Sequence, residues 1–377
     1  MAAAASSPTP GPGPRFSLRA GTPDVSAFPR AAWQAALRRA LASAPDRALG
    51  LGDPRGRPEL RAALAAYLGR ARGVLADPER IVVCAGYVEG LALLGAALRE
   101  RGARTVAMED PCLRDHRDVI AACGLQVAPL AVDAAGALAD VPAAAGAVVL
   151  TPAHQYPLGA TLAPERRAAL VGWARSRDTL VIEDDYDGEF RYDRQPVGAL
   201  QGLDPERIVY AGTASKTLAP ALRLGWLVVP AGLLDAVVAV KRRAGATHAL
   251  DQLALAELLR SGGFDRHVRR MRQRYRRRRD LLLALLAEHD PTFRPRGIAA
   301  GLHVALELGR GAPGEDELIA GAAERSLAVD PLRPHWHADG ERPPGVILGY
   351  AAPAEHEYPA TLAALRGTLS VSRRRPP

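Results

Sequence analysis

Between about residues 55 and 245 the chain repeats one pattern: a short apolar run, a polar cluster, then a stretch with helical spacing. That alternation constrains the fold to a mostly parallel sheet whose connections are helices packed on its faces. Arg80-Ile-Val-Val-Cys84 leads into Gly86-Tyr-Val-Glu89, and Thr105-Val-Ala-Met108 into Glu109-Asp-Pro-Cys112. Ala147-Val-Val-Leu150 leads into Thr151-Pro-Ala-His-Gln-Tyr-Pro157, Leu180-Val-Ile182 into Glu183-Asp-Asp-Tyr186, and Ile208-Val-Tyr210 into a loop ending at Lys216. Ligands of open α/β sheets gather beyond the carboxyl ends of the strands, so these polar clusters are expected to build one site.

A chain of 377 residues exceeds what one core usually holds, so two domains are expected. The expected division is a linker-like tail over 1–15, an N-terminal arm over 16–50, a large α/β domain over 51–245, a smaller C-terminal α/β domain over 246–372 and a tail over 373–377. The first fourteen residues have linker composition with neither a cationic n-region nor an apolar h-region. No apolar run is long enough to span a bilayer, and Cys84, Cys112 and Cys123 have neither metal-type nor disulfide spacing. The expectation is a cytoplasmic protein without membrane contact.

The formal net charge of +8 raises a nucleic-acid reading, centred on His267-Val-Arg-Arg-Met-Arg-Gln-Arg-Tyr-Arg-Arg-Arg-Arg279. Val268, Met271, Tyr275 and Leu282 recur there at helical spacing, which predicts one amphipathic helix with a solvated arginine face. Phosphate contacts alone carry no sequence information, and direct nucleic-acid binding by this chain is not expected.

Lys216 is one of only two lysines, the other being Lys241. Unlike arginine, a lysine amine loses its proton when desolvated and can attack a carbonyl. The candidate carbonyl is the aldehyde of pyridoxal phosphate (PLP), held as a Schiff base. Asp184 and Tyr186 lie two apart at a strand end, so they point the same way. An aspartate there suits a pyridine nitrogen, keeping it protonated by charge pairing, and the tyrosine suits the neighbouring phenolic oxygen. The alternative is a divalent cation on Glu183, Asp184, Asp185 and Asp187, although adjacent strand residues alternate faces. For a phosphate, Gly86 precedes a helix beginning near Val88, whose free N–H groups can receive an anion. Arg223 can add a bidentate contact, and Thr213 or Ser215 a hydroxyl.

Val181-Ile-Glu-Asp-Asp-Tyr-Asp-Gly-Glu-Phe-Arg-Tyr192, Thr151-Pro-Ala-His-Gln-Tyr-Pro-Leu-Gly159 and Gly212-Thr-Ala-Ser-Lys-Thr-Leu-Ala-Pro-Ala-Leu-Arg-Leu-Gly-Trp226 together resemble the aminotransferase-like domain of MocR-type GntR regulators. The resemblance runs over roughly residues 16 to 370 and includes Gly52-Asp-Pro-Arg-Gly56 and Gly345-Val-Ile-Leu-Gly-Tyr350. It implies a fold-type I PLP unit, with Lys216 as the Schiff-base lysine, Asp184 at the pyridine nitrogen, Tyr186 at the phenolic oxygen and Arg223 at the phosphate. It also implies cofactor contacts from Gly86, Tyr87, Val88, Thr213, Ser215, His154 and Tyr156, and a homodimer with sites at the interface.

The chain departs from the family pattern at Leu51, where a tyrosine reaches the neighbouring subunit's cofactor, and at Pro111-Cys112-Leu113, where a Pro-Gly-Tyr loop covers the ring. Around 345–350 there is no arginine for a substrate carboxylate, the nearest being Arg342, and no room for a winged helix is expected before residue 16. Two readings follow: a PLP-dependent transaminase acting on an amino acid or amine, or an effector-sensing domain in which ligand binding shifts domain closure without turnover. A PLP lyase or racemase is a third.

Overall fold

The computed structural model describes residues 13–193, 197–289 and 291–371. Residues 1–12 of the expected N-terminal tail and all of the 373–377 tail lie outside that range. Eight strands form the main sheet, in the order Ile81–Cys84, Gly225–Val228, Ile208–Thr213, Leu180–Asp184, Ala145–Leu150, Thr105–Asp110, Gln126–Asp133 and Gly136–Ala137. From Ile208–Thr213 across to Gln126–Asp133 every pairing is parallel, as the alternating pattern requires. Gly225–Val228 runs against both of its neighbours.

Strand periodicity divides the central residues between two faces. Val106, Met108, Val149, Ile182, Val209 and Leu227 pack under the helices Tyr87–Glu100 and Ala231–Ala244. Val148, Val181 and Ile208 turn the other way, onto Leu170 and Ala174 of Pro164–Arg177, and so do Val83, Tyr210 and Trp226, onto Leu64 and Leu68 of Pro58–Arg72. Both faces are buried, which explains the near-continuous apolar runs. The helix Ala249–Arg260, beyond the boundary expected at 245, joins this second layer through Leu255, Leu258 and Leu259.

A second sheet is antiparallel throughout, in the order Phe293–Arg296, His303–Leu308, Gly345–Gly349 and Asp330–Pro331. Leu302, Val304, Leu306, Val346 and Leu348 pack with Leu282, Leu285, Leu318 and Leu365 on one face. His303, Ala305, Ile347 and Gly349 alternate with them and share the opposite face, with His303 paired to Gly349 and Ala305 to Ile347. The N-terminal arm spans the two units. Phe16–Ser17 pairs with Leu327–Ala328, and Arg30–Ser43 then packs on Ala249–Arg260.

The arginine-rich segment forms one helix, Gly263–Ala287, with Val268, Met271, Tyr275 and Leu282 buried as their spacing predicts. Its arginine face is not uniformly solvated. Arg278 is 1 % exposed, because Asp24 of the arm and Glu355 each take its guanidinium at 3.0 Å and Ala351 O accepts a further bond. Among the described residues no helix is long and apolar enough to cross a membrane.

Candidate active site

The carboxyl ends of the main sheet, the second sheet and the arm enclose a pocket of about 400 Å³. Its position follows from the strand-end rule, and its size is ordinary for a small-molecule site. After Ile208–Thr213, the Ser215 N–H donates to Thr213 Oγ1 at 3.1 Å, while that hydroxyl donates to Leu224 O at 3.2 Å. This turn brings Thr213, Ser215 and Lys216 into the pocket wall. The Lys216 amine donates to the carbonyl of Gly21 in the arm. Burial lowers its pKa, opposed by the carboxylates of Asp184 and Asp187.

The acidic run after Leu180 disperses as strand alternation requires. Glu183 accepts the Leu200 and Gln201 amides at 2.7 and 2.9 Å on one face. Asp185 takes the Arg72 guanidinium at 2.6 Å and the Tyr210 hydroxyl at 2.9 Å. Asp187 binds His154 Nδ1 at 2.9 Å. These carboxylates do not converge, so the cation alternative at Glu183, Asp184, Asp185 and Asp187 has no site. His154, Asp187 and His303 do bring possible ligand atoms within 4.8 Å of one another, but Asp187 takes the first histidine and Pro157 O lies 3.1 Å from His303 Nε2.

Asp184 faces the pocket at 4 % exposure, and its Oδ1 has no hydrogen-bond partner. Burial pushes its pKa well up, repulsion from Asp185 adds to this, and Lys216 and the nearby Tyr87 hydroxyl oppose it. A buried carboxyl in this position therefore needs an opposing cation to stay ionised. Tyr186 lines the same wall, its hydroxyl 3.1 Å from His154 Nδ1. Since the Asp187 carboxylate can only accept, His154 Nδ1 carries the proton, and the Tyr186 hydroxyl lies within reach of both this ring and Asp187. Tyr156 also lines the pocket, edge-on to Tyr186 with centroids 6.2 Å apart.

His154 is not among the residues that line the pocket; it stands beside Tyr186, its Nδ1 bonded to Asp187, where it can orient the tyrosine. Gly86, at φ 85°, caps the helix Tyr87–Glu100. A Cβ at Gly86 would lie 3.2 Å from Arg223 Cζ, so glycine is what lets the guanidinium reach the helix N-terminus. Arg223 itself adopts φ 48°, a left-handed conformation unusual for its type. Tyr87, Val88 and Arg223 line this end of the pocket.

Several lining residues leave no trace in the strand-end pattern. Ala20, Gly21 and Thr22 come from the arm, Leu302 and His303 from the second sheet, and His116 from the helix Arg114–Ala122. His116 sits 4.8 Å from the Tyr87 ring, one helical turn beyond Leu113, and burial pushes its pKa down to about 3. Burial also holds His303 well below the ordinary imidazole range. The one signal available was Gly21, before Thr22-Pro23, where the arm turns at φ 85°.

These features suit PLP: an unpartnered Asp184 oxygen for a ring nitrogen, a glycine cradle with Arg223 for a phosphate, and a desolvated Lys216 in the same pocket. Residues 16–309 match the model of the family described as aminotransferase class I and II. YhdI of Bacillus subtilis (strain 168), an uncharacterized HTH-type transcriptional regulator, is 34% identical over 91% of this chain and 74% of its own length. The HTH-type pyridoxine biosynthesis transcriptional regulator PdxR of Corynebacterium glutamicum is 32% identical over 96% of this chain and 78% of its own. The probable rhizopine catabolism regulatory protein MocR of Rhizobium meliloti is 34% identical over 89% and 69%. Among solved structures, an archaeal alanine:glyoxylate aminotransferase superposes with a TM-score of 0.85 at 27% identity, over 94% of this chain and 91% of that one. The family model over residues 16–309 and the relatives aligned over most of the chain place the protein in the PLP-dependent aminotransferase class I and II family, with MocR-type regulators among its relatives.

Proposed function

We propose that this chain binds PLP through Lys216 and works as a transaminase-like protein on an amino acid or related amine. The observation that carries the reading is the pairing, in one pocket, of a desolvated lysine with a buried carboxyl whose Oδ1 has no partner. Bound PLP would supply an electron-withdrawing ring. Lys216 would hold it covalently, Arg223 and the N-terminus at Tyr87 would hold its phosphate, and Ser215 or Thr213 would add a hydroxyl. Asp184 would keep a proton on the ring nitrogen by opposite charge. Tyr186, fixed from behind by His154, would donate to the phenolic oxygen. Lys216, its amine made less basic by burial, would be the group available to move a proton at the substrate carbon.

The reading includes a homodimer in the cytoplasm, without direct nucleic-acid binding by this chain. A second reading, an effector-sensing domain, is favoured by one observation: the matched relatives YhdI, PdxR and MocR bear regulator names. One experiment separates the two. Purified protein should show a visible PLP absorbance that borohydride fixes onto Lys216, and Lys216→Ala should abolish that linkage completely. Turnover of an amine with an oxo acceptor marks the enzyme; a spectral response without turnover marks the sensor. A colourless protein that gains no such band with added PLP sinks both.

A further inference from the structure

The end of the pocket away from Arg223 offers no cation for a carboxylate. Four lining residues among those described are of cationic type: Lys216, Arg223, His116 and His303. Lys216 is committed to the cofactor in the proposed function, and Arg223 lies against Gly86 at the helix N-terminus. The two imidazoles are neutral, since burial lowers both. Two lining residues are acids instead, Asp184 and Glu109.

Nearby guanidinium groups are engaged elsewhere. Arg342 lies 3.4 Å from Asp110 and 4.8 Å from the centre of the Trp336 ring, outside the pocket wall. Arg19 places its carbonyl against Gly349, while its side chain extends to Asp330 at 3.8 Å. On the strands of the second sheet, the face of His303 carries the uncharged Ala305, Ile347 and Gly349 together with Arg294, Arg296, Glu307 and Asp330, but none of these four charged residues lines the pocket, and Arg296 pairs with Glu307 at 2.5 Å. Beside His303 stand Leu302 and the Tyr156 ring, its centroid 5.0 Å away, and Met108 and Leu113 add further apolar lining to the pocket.

We infer that the ligand of this site is a primary amine lacking an α-carboxylate, with an apolar or aromatic body. This rests on the proposed PLP site and specifies what that site accepts. A carboxylate entering this wall would be stripped of water beside Asp184 and Glu109 with no fixed charge to receive it, and an unpaired buried charge is costly. An amine of the same shape escapes that cost and keeps the apolar contacts.

The test uses the full chain loaded with PLP. 2-Phenylethylamine is compared with L-phenylalanine and propylamine with L-2-aminobutyrate, each pair differing by one carboxylate. Two equilibrium readouts are followed: the visible absorbance of bound PLP and the melting temperature. Each amine should produce its half-maximal change at a concentration at least about ten-fold below that of its amino acid, the equivalent of roughly one decade in affinity. Ile347→Arg, which adds a cation to the face carrying His303, should narrow or reverse the gap. Equal or tighter binding of the amino acids by the unmodified chain overturns the inference, as does silence toward both members of each pair, whether or not the variant folds. PLP uptake distinguishes the two failures: a chain that takes up PLP yet prefers amino acids sinks this inference alone, and one that takes up none sinks the proposed function as well.

Discussion

The two walls of the pocket are built on different principles. The main-sheet wall gathers Asp184, Tyr186, Lys216 and Arg223, charged or hydrogen-bonding groups each placed by the register of a buried strand or the turn that follows it. The opposite wall, Gly21 from the arm with Leu302 and His303 from the second sheet, offers a backbone carbonyl, an apolar side chain and a neutral ring. Cofactor chemistry needs fixed charges at fixed distances, and parallel strands supply them. Ligand selection needs a surface that can differ without disturbing those charges, and a second unit supplies that.

The largest effects separate neighbouring positions on the main-sheet wall. Asp184→Asn should leave PLP bound while slowing proton transfer from substrate by about 100-fold, the scale of a lost charge contribution to acid–base catalysis. Asp185→Asn should do the reverse. It strips the buried Arg72 guanidinium of its carboxylate partner, an uncompensated charge costing about 3–5 kcal/mol of stability, with the PLP spectrum of the surviving folded protein unchanged. Denaturant midpoints and absorbance measured on the same samples decide the matter. If Asp185→Asn kills turnover and Asp184→Asn does not, the strand face has been assigned wrongly.

The same comparison explains what the amino-acid sequence reveals. Lys216, Asp184, Tyr186, Arg223 and the Gly86 turn all sit at the ends of apolar runs, so a strand-period reading brings them together without any knowledge of distant contacts. The opposite wall has no such local rule. Gly21 meets Lys216 across 195 positions, and His303 begins a strand whose orientation depends on pairing with Gly349. His154 is a different case: the partner that fixes its ring, Asp187, lies 33 positions on, so its orientation is not legible from its own motif. Arg278, within a face patterned for solvent, is buried because distant partners meet it, Asp24 from the arm and Glu355 and the Ala351 carbonyl from the C-terminal part of the chain.

A smaller effect tests how the main-sheet wall handles charge. Burial pushes Glu109 up to about 7, and Glu183 and Glu189 likewise to about 7. In an unfolded chain these groups titrate near 4.3, so between about 4.3 and 7 the folded state holds protons that the unfolded state has released. Their contribution to stability is complete below the lower value and is lost as pH rises through the upper one. Glu109→Gln should remove one group's share of that loss, at most about 3 kcal/mol of it above pH 5, leaving a shallower fall in melting temperature between pH 5 and 8. An unchanged slope would mean that Glu109 is already ionised across this range, for which the Thr151 hydroxyl and amide bonds would have to outweigh its burial.

The smallest expected effect concerns the rim rather than either wall. Leu51 is 91 % exposed in the isolated chain, an unusual setting for a large apolar side chain, and the family pattern has a tyrosine there that reaches the neighbouring subunit's cofactor. In the proposed homodimer, Leu51 can bury itself against the second copy but has no hydroxyl to offer, so association survives while one phosphate contact is lost. Leu51→Tyr should therefore tighten PLP by about 1 kcal/mol, the net worth of one hydrogen bond, with the dimer mass unchanged. Equilibrium dialysis of PLP alongside light scattering reads both quantities. Unchanged or weaker affinity would place residue 51 away from the partner's phosphate, leaving the anion to the Gly86 turn, Arg223 and the Ser215 or Thr213 hydroxyl of a single chain.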